Sequence, residues 1–248
     1  MDYLFFDLDG TLSFDGKISD KNRAALRAVR EMGHEVILNT GRGRGYLPNW
    51  VLDAVDFDGI CCGGVYLSYH GRELYSYVMR PEDAAVSLRA AALHKIPVAI
   101  EGEDFSAEFL RERPDKTLLI REDELEEFIA SPYIRRIAKM CFITPTLPDG
   151  FPTPGLYTIP LSTYFEGVPI GYDKSSPMRY LVAHCGVTRE NTLAVGDSLN
   201  DEGMLSYAAR CAVIGHAPAA LDKYRPYRSV AEEDGVYEIL SHFYGISL

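Results

Sequence analysis

The fold is decided by the stretch Tyr3-Leu4-Phe5-Phe6-Asp7-Leu8-Asp9-Gly10-Thr11-Leu12. Four large apolar residues in succession, without polar alternation, predict a central strand of a parallel sheet that is buried on both faces. Two carboxylates follow at the end of that strand, and Gly10 allows the backbone to turn sharply. Because open α/β sheets bind ligands beyond the carboxyl ends of their strands, we expect Asp7 and Asp9 to belong to a functional site.

A surface turn and a calcium-binding loop are the simpler interpretations of the polar residues in this stretch. Asp and Gly are common in turns, so these residues alone leave a surface turn open. A calcium loop requires Gly at its sixth position and Glu at its twelfth. Counted from Asp7, these positions hold Leu12 and Ile18, which argues against calcium.

Length and charge restrict the classes of function. A chain of 248 residues suits one large domain or two moderate ones, and 47% hydrophobic residues can form a sizeable core. The 25 basic and 36 acidic residues give a formal net charge of -11, which argues against nucleic acid as the main partner. A small phosphorylated ligand needs only a few local positive groups and remains compatible with this charge.

Cysteine usage and hydropathy predict a cytoplasmic protein that does not enter a membrane. The five cysteines are an odd number, and Cys61-Cys62 lie in an apolar run, which is typical of reduced core cysteines. The short acidic N-terminus leads at once into the first strand, so we expect no signal peptide. No apolar run reaches the length of a membrane span. The oligomeric state is left open between a monomer and a homodimer.

The order of the predicted elements indicates a Rossmann-like α/β core with an inserted domain. The first 62 residues follow a β-α-β-α-β rhythm, which predicts a parallel sheet. Helices and strands then cease to alternate strictly, and one long strand is predicted over residues 134–144 and another over 156–165. The βα rhythm returns from Gly171. We therefore predict a discontinuous core over residues 1–79 and 171–248, with an inserted α+β domain over 80–170.

Unusual residues follow four of the predicted strands: Asp7 with Asp9, Thr40, Gly63-Gly64 and Asp197. If these strands share one parallel sheet, the three carboxylates lie within a few ångströms of one another. Like charges at that distance raise each other's pKa unless a cation intervenes. Carboxylate and carbonyl oxygens together with a substrate phosphate suit Mg²⁺, so we predict a magnesium site at this edge.

Three further residues extend this predicted site. Asp201 lies four residues after Asp197 at a helix start, so the two side chains are expected to face the same direction, and Asn200 adds a neutral amide. Lys174 lies where the insert ends and a helix begins. By itself it is most simply an ordinary surface lysine, but an ammonium near a carboxylate cluster can hold a phosphate group and orient a nucleophile.

Together these segments resemble the four ordered motifs of the haloacid dehalogenase-like superfamily. The motifs are Asp7-Leu8-Asp9-Gly10-Thr11, Thr40-Gly41-Arg42, Lys174 and Gly196-Asp197-Ser198-Leu199-Asn200-Asp201. The continuation Glu202-Gly203-Met204-Leu205 and the context Asp173-Lys174-Ser175-Ser176 are similar to its Cof-type sugar-phosphatase branch. The resemblance covers essentially the whole chain, and it implies that the insert is a large α/β cap domain that closes over small substrates.

The resemblance also implies a role for each motif residue. Asp7 would be the nucleophile that forms an aspartyl-phosphate, and Asp9 would act as general acid and then general base. Thr40, Gly41 and Lys174 would bind the phosphoryl oxygens. Mg²⁺ would be held by Asp7, the Asp9 carbonyl and Asp197, with Asn200 and Asp201 in support.

Several charged residues are candidate substrate contacts, although a solvated surface charge is the simpler interpretation of each. They are Arg42, Arg44, Arg72, His216 and the acidic loop Glu101-Gly102-Glu103-Asp104. The chain departs from the family pattern at Gly63-Gly64-Val65, where related sequences often have Asn-Gly-Ala. It also departs at His216, where they often have Asn.

We therefore expect a Mg²⁺-dependent phosphatase that hydrolyses small phosphorylated metabolites, with a sugar phosphate as the expected substrate class. A phosphohexomutase resembling phosphomannomutases is the first alternative, because such enzymes share this core and cap. A non-catalytic sensor of phosphorylated metabolites is the second. A sensor would be expected to lose Asp7 or Asp9, and both are present.

Overall fold

The structure is a computed structural model that describes residues 1–112, 118–215, 217–224, 227–229 and 231–247. The candidate contact His216 therefore lies outside the described residues. The chain divides into two compact units, and the first comprises Met1–Gly41, Pro48–Tyr75 and Asp173–Leu248. The second comprises Arg42–Leu47 and Ser76–Tyr172. That the first unit is a catalytic core and the second a substrate-specificity cap stays a prediction.

The described part of the chain forms α-helices and β-strands in alternating and mixed order. The strands are β1 (Tyr3–Phe6), β2 (Ser13–Phe14), β3 (Lys17–Ile18), β4 (Glu35–Thr40), β5 (Gly59–Cys62), β6 (Tyr66–Tyr69), β7 (Arg72–Ser76), β8 (Val98–Gly102), β9 (Ser106–Phe109), β10 (Leu118–Ile120), β11 (Ile137–Phe142), β12 (Leu156–Pro160), β13 (Phe165–Pro169), β14 (Thr192–Gly196), β15 (Arg210–Ile214) and β16 (Tyr227–Ser229). The helices are α1 (Asp20–Glu31), α2 (Asn49–Ala54), α3 (Pro81–Leu93), α4 (Leu125–Ala130), α5 (Ser175–His184), α6 (Glu202–Tyr207) and α7 (Gly235–Tyr244). The fold is thus α/β with a parallel-sheet core, as the sequence predicts.

The large sheet of the first unit has the strand order β16-β15-β14-β1-β4-β5-β6-β7. Strand β1 lies in its interior and pairs in parallel with β14 and with β4. All four residues of Tyr3–Phe6 are buried, which confirms the predicted central strand. Because β1, β4 and β14 run in the same direction, the residues that follow them emerge at one edge of the sheet.

The second unit contains a six-stranded sheet with the order β10-β9-β8-β11-β13-β12. Its pairs are antiparallel except for β9 with β10. Alternate residues such as Ile100 and Met140 face a hydrophobic core that also contains Leu88 of α3 and Phe128 of α4. One face of this sheet is therefore covered by helices of the same unit.

Two predicted strands in this unit have wrong bounds, and two observed strands, β9 and β13, were not predicted. The strand expected over 134–144 begins only at Ile137, because Pro132–Arg136 form a 3₁₀ helix. The strand expected over 156–165 ends at Pro160, the last residue of β12. A turn follows, in which the Leu161 N–H donates to the Tyr164 carbonyl at 2.9 Å, and it leads into the antiparallel strand β13, of which only Phe165 lies in the expected range. Strand β9 was not predicted, since the charged Glu108 interrupts its apolar pattern although that residue is buried.

None of the helices in the described residues combines the length and the apolar character needed to cross a bilayer.

Asp58 links α1, β4 and the start of β5 in the first unit. Its carboxylate accepts the Val36 N–H at 2.8 Å and is bound by two nitrogens of the Arg30 guanidinium. Replacing it by Ala leaves a buried amide and an arginine without their acceptor. We expect Asp58→Ala to lower the free energy of unfolding by about 2 kcal/mol in urea titrations.

Asp56 provides the matched control, because its exposed carboxylate lies 3.6 Å from the same Arg30. We expect Asp56→Ala to change the free energy of unfolding by less than about 0.5 kcal/mol. Equal losses in the two variants would show that the buried amide contact contributes nothing.

Candidate active site

Asp7 directly follows β1 and is held by the neighbouring strand. Its N–H donates to the Val195 carbonyl of β14 at 3.0 Å, and its side chain is buried. The chain then turns at Gly10, whose φ of +83° is unfavourable for other residues. A Cβ atom at Gly10 would lie 2.5 Å from Asp197 Oδ2. Glycine therefore allows the Asp197 carboxylate to approach this loop.

Lys174 directly precedes α5, and its buried ammonium joins two carboxylates. Its Nζ atom donates to Asp7 Oδ1 and to Asp201 Oδ1, both at 2.5 Å. Burial disfavours the charged ammonium, but the carboxylates of Asp201 and Asp7 outweigh burial and raise the pKa of Lys174. The lysine is therefore a buried cation and not the ordinary surface lysine of the simpler interpretation.

Asp201 is fully buried and folds back across the turn that follows β14. Its Oδ2 atom accepts the N–H groups of Asp197 and Ser198, each at 2.9 Å. A Cβ atom at Gly196 would lie 2.5 Å from Asp201 Cγ, so a side chain there would displace this carboxylate. Asp201 thus fixes the backbone of Asp197 with one oxygen and binds Lys174 with the other.

The carboxylates of Asp7 and Asp197 carry the charge conflict that the sequence predicts. Burial is the largest cause that raises the pKa of Asp7 well above its ordinary value, and Lys174 offsets only part of it. Burial, together with the charge of Asp201, raises the pKa of Asp197 to about 6. The Thr11 hydroxyl donates to Asp197 Oδ1 at 3.0 Å and stabilises its ionised form.

The donor set of this cluster fits a divalent cation. Carboxylate oxygens of Asp7, Asp197 and Asp201 lie within 4.8 Å of one another. When all three are ionised, the single ammonium of Lys174 leaves two negative charges without compensation. The cluster thus offers the oxygen ligands and the negative charge that a hard divalent ion such as Mg²⁺ prefers.

The other predicted site residues are distributed as follows. Thr40 is the last residue of β4 and is buried, and its carbonyl accepts the Gly63 N–H at 2.8 Å. Asn200 Oδ1 accepts the Ser198 hydroxyl at 2.7 Å. Asp9 is exposed and Gly41 is partly buried.

Two candidate contacts, Arg42 and Arg44, belong to the second unit and not to the unit that contains the acidic cluster. The Arg42 guanidinium donates to the Tyr46 carbonyl at 3.5 Å, and Arg44 begins a short 3₁₀ helix. Their role as substrate contacts stays a prediction.

The sequence assigned no role to Asn39, although this residue contacts the cluster. Asn39 is fully buried in β4, and its Nδ2 atom donates to the Lys174 carbonyl at 2.8 Å. An amide near the end of a buried apolar strand is a signal that could have identified it, because a buried polar side chain needs a partner.

Comparisons with known proteins agree with this architecture. An HMP-PP phosphatase from Klebsiella pneumoniae (strain 342) is 26% identical over an alignment of 267 positions, which covers 96% of this chain and 92% of that protein. The putative phosphatase YkrA of Bacillus subtilis (strain 168) is 25% identical over an alignment of 247 positions, which covers 94% of each chain.

Two solved structures share the fold. The HAD subclass IIB sugar phosphatase BT4131 matches with a TM-score of 0.83 and 18% identity, over 99% of this chain and 100% of that one. BT1666 from Bacteroides thetaiotaomicron, of the HAD superfamily phosphatases, matches with a TM-score of 0.81 and 22% identity, over 99% and 96% of the two chains.

The sequence profile of one family covers nearly the entire chain. The profile for haloacid dehalogenase-like hydrolases matches residues 4–107 and 111–240. Together with the fold and the acidic cluster, this match shows that the chain belongs to the haloacid dehalogenase-like hydrolases.

Proposed function

We propose that this hydrolase is a Mg²⁺-dependent phosphatase of small phosphorylated metabolites, with sugar phosphates as the expected class, that works through an aspartyl-phosphate. The observation that carries the proposal is the buried Asp7 carboxylate, bound by Lys174 at the end of a central strand. A carboxylate in this position is a suitable nucleophile, because the ammonium fixes its orientation and the surrounding protein limits its hydration.

In the first step, an oxygen of Asp7 attacks the phosphorus of the substrate. A bond forms between this oxygen and phosphorus, and the bond from phosphorus to the ester oxygen breaks. The electron pair of the broken bond goes to the leaving oxygen, which takes a proton from Asp9. Because Asp9 is exposed whereas Asp7 is buried, the two carboxyl groups suit different roles, one as proton carrier and one as nucleophile.

In the second step, the Asp9 carboxylate takes a proton from water, and the resulting hydroxide attacks phosphorus. The bond between phosphorus and the Asp7 oxygen breaks, so inorganic phosphate leaves and the Asp7 carboxylate is restored. Asp9, the proton donor in the first step, thus becomes the base in the second step.

Three groups of the first unit are proposed to bind the transferring phosphoryl group. They are the Thr40 hydroxyl, the Gly41 N–H and the Lys174 ammonium. Because the neighbouring carboxylates keep Lys174 charged, it can stabilise negative charge on the phosphoryl oxygens as the reaction proceeds.

Mg²⁺ would be held by Asp7, the Asp9 carbonyl and Asp197, with Asn200 and Asp201 in support. When bound, the ion would supply electrostatic stabilisation of the phosphoryl group and relieve the repulsion between the carboxylates.

Replacing the nucleophile provides the direct test of this function. We expect Asp7→Asn to lower kcat for phosphate release from p-nitrophenyl phosphate by at least about 1,000-fold, because an amide oxygen is a poor nucleophile. Asp9→Asn should lose about 100- to 10,000-fold through the loss of proton transfer. EDTA should abolish the activity of the unmodified protein.

The exposed Asp53 of α2 supplies the control for the loss of one carboxylate, and Asp53→Asn should keep full activity. Phosphate release that survives Asp7→Asn would contradict the proposed nucleophile.

A panel of sugar phosphates separates the phosphatase from its alternatives. A phosphatase releases phosphate in proportion to the substrate consumed. A phosphohexomutase would release little phosphate and would isomerise a hexose phosphate only with a bisphosphate activator. Tight binding without turnover would indicate a sensor. The cytoplasmic localisation and the oligomeric state stay predictions.

The raised pKa of Asp197 predicts how metal-free protein responds to pH. The Asp197 carboxyl group holds its proton more tightly in the folded state than in the unfolded state. Its contribution to stability therefore falls as pH rises from about 4 to about 6. We therefore expect Asp197→Asn to gain stability relative to the unmodified protein across this interval, measured by urea unfolding in EDTA.

Magnesium chloride should reverse this difference at neutral pH. The ion binds the folded state with its full set of carboxylates, so it should stabilise the unmodified protein more than Asp197→Asn. A stability difference between the two proteins that does not change with pH would contradict the proposed charge conflict.

A further inference from the structure

We propose that Asn39 is a positioning residue for the reaction, which acts by fixing the backbone of Lys174. This inference rests on the proposed phosphatase function. It assigns to Asn39 the task of holding the residue whose ammonium binds both Asp7 and the phosphoryl group.

The amide of Asn39 has one favourable orientation. Its Nδ2 atom donates to the Lys174 carbonyl at 2.8 Å and lies 3.4 Å from Met204 Sδ. Rotating the amide by half a turn would place Oδ1 against the Lys174 carbonyl, where two acceptors would face each other. The Lys174 backbone therefore selects the orientation in which Asn39 donates.

The side-chain oxygen of Asn39 is buried without a hydrogen bond from the described part of the chain. Asn39 is fully buried, and among the described residues its Oδ1 atom has no hydrogen-bond partner. A buried acceptor without a partner destabilises the folded state, and an apolar side chain of similar volume would avoid this penalty. What only the amide supplies at this position is the N–H group directed at Lys174.

Close contacts around Asp173 fix the same short segment. A Cβ atom at Gly64 would lie 2.6 Å from the Asp173 carbonyl, and one at Gly203 would lie 2.6 Å from Asp173 Oδ2. Asp173 Oδ1 in turn accepts the N–H and the hydroxyl of Ser175, at 2.7 and 2.6 Å. These contacts hold the residue before Lys174, and Asn39 holds Lys174 itself.

The position of the Lys174 backbone matters because the ammonium must reach two carboxylates at the same time. The ammonium meets Asp7 and Asp201 at 2.5 Å each, which leaves little tolerance for movement of its Cα atom. A misplacement of a catalytic group by about 1 Å can lower a rate about 100-fold. Loss of the Asn39 contact should therefore affect the chemistry more than the stability.

The variant Asn39→Leu tests this inference, because it keeps most of the volume and removes both the donor and the unsatisfied oxygen. We expect kcat for p-nitrophenyl phosphate to fall about 10- to 100-fold. The equilibrium constant of unfolding in urea should change by less than about tenfold. The control Met204→Leu removes the sulfur atom but keeps the Lys174 contact, so its kcat should be unchanged.

Lys174→Ala completes a double-mutant cycle. If Asn39 acts through Lys174, adding Asn39→Leu to Lys174→Ala should cause no further loss of kcat. Losses that multiply in the double variant, or an Asn39→Leu variant as active as the unmodified protein, would overturn the inference.

Hydrogen exchange provides a measurement that does not depend on activity. The backbone amides of Ser175, Ser176 and Met178, at the start of α5, should exchange faster in Asn39→Leu than in Met204→Leu. Faster exchange in a protein that releases no phosphate would support the positioning role and reject the phosphatase. Unchanged exchange and unchanged kcat in an active enzyme would reject the positioning role alone.

Discussion

The site depends on one buried interaction, the contact of the Lys174 ammonium with the carboxylates of Asp7 and Asp201. Burial alone would favour neutral acids at this edge of the sheet. The ammonium compensates part of the negative charge and fixes Asp7 in one orientation. Removing the partner of a buried carboxylate is strongly destabilising, so Asp7, Lys174 and Asp201 must be considered as one unit.

Glycines in the surrounding backbone leave space for the carboxylates of this site. Gly10 allows the Asp197 carboxylate to approach the first loop, and Gly196 leaves space for that of Asp201. Parallel pairing of β1 with β14 brings the two acidic segments to one edge, although they are nearly two hundred residues apart in the chain. The remaining negative charge suits a divalent cation and a phosphate group, which connects the fold to the proposed chemistry.

Much of this arrangement can be predicted from the sequence. An apolar run predicts a buried strand, and the polar residues that follow the run indicate where that strand ends. Tyr3–Phe6 predicts a buried central strand, and the resemblance to haloacid dehalogenase-like proteins is confirmed. The contact of Asn39 with Lys174 depends on strand register and side-chain rotamer, which residue patterns do not reveal. The turn over residues 161–164 and the strand β13 that follows it were not predicted, because the turn contains no glycine. The catalytic and binding roles predicted for the site residues stay predictions, those of Asp7, Asp9, Lys174 and Asp197 as much as those of Thr40 and Gly41.

The most direct measurement is the location of the phosphoryl group in Asp9→Asn protein that is mixed with p-nitrophenyl phosphate, quenched in acid and analysed by peptide mass spectrometry. The p-nitrophenolate leaving group needs little acid catalysis, so the first step should proceed while hydrolysis of the intermediate is slowed. We predict a phosphoryl group on the peptide that contains Asp7, and specifically on Asp7. A phosphoryl group on another residue, or release of p-nitrophenol without any phosphorylated peptide, would contradict the account.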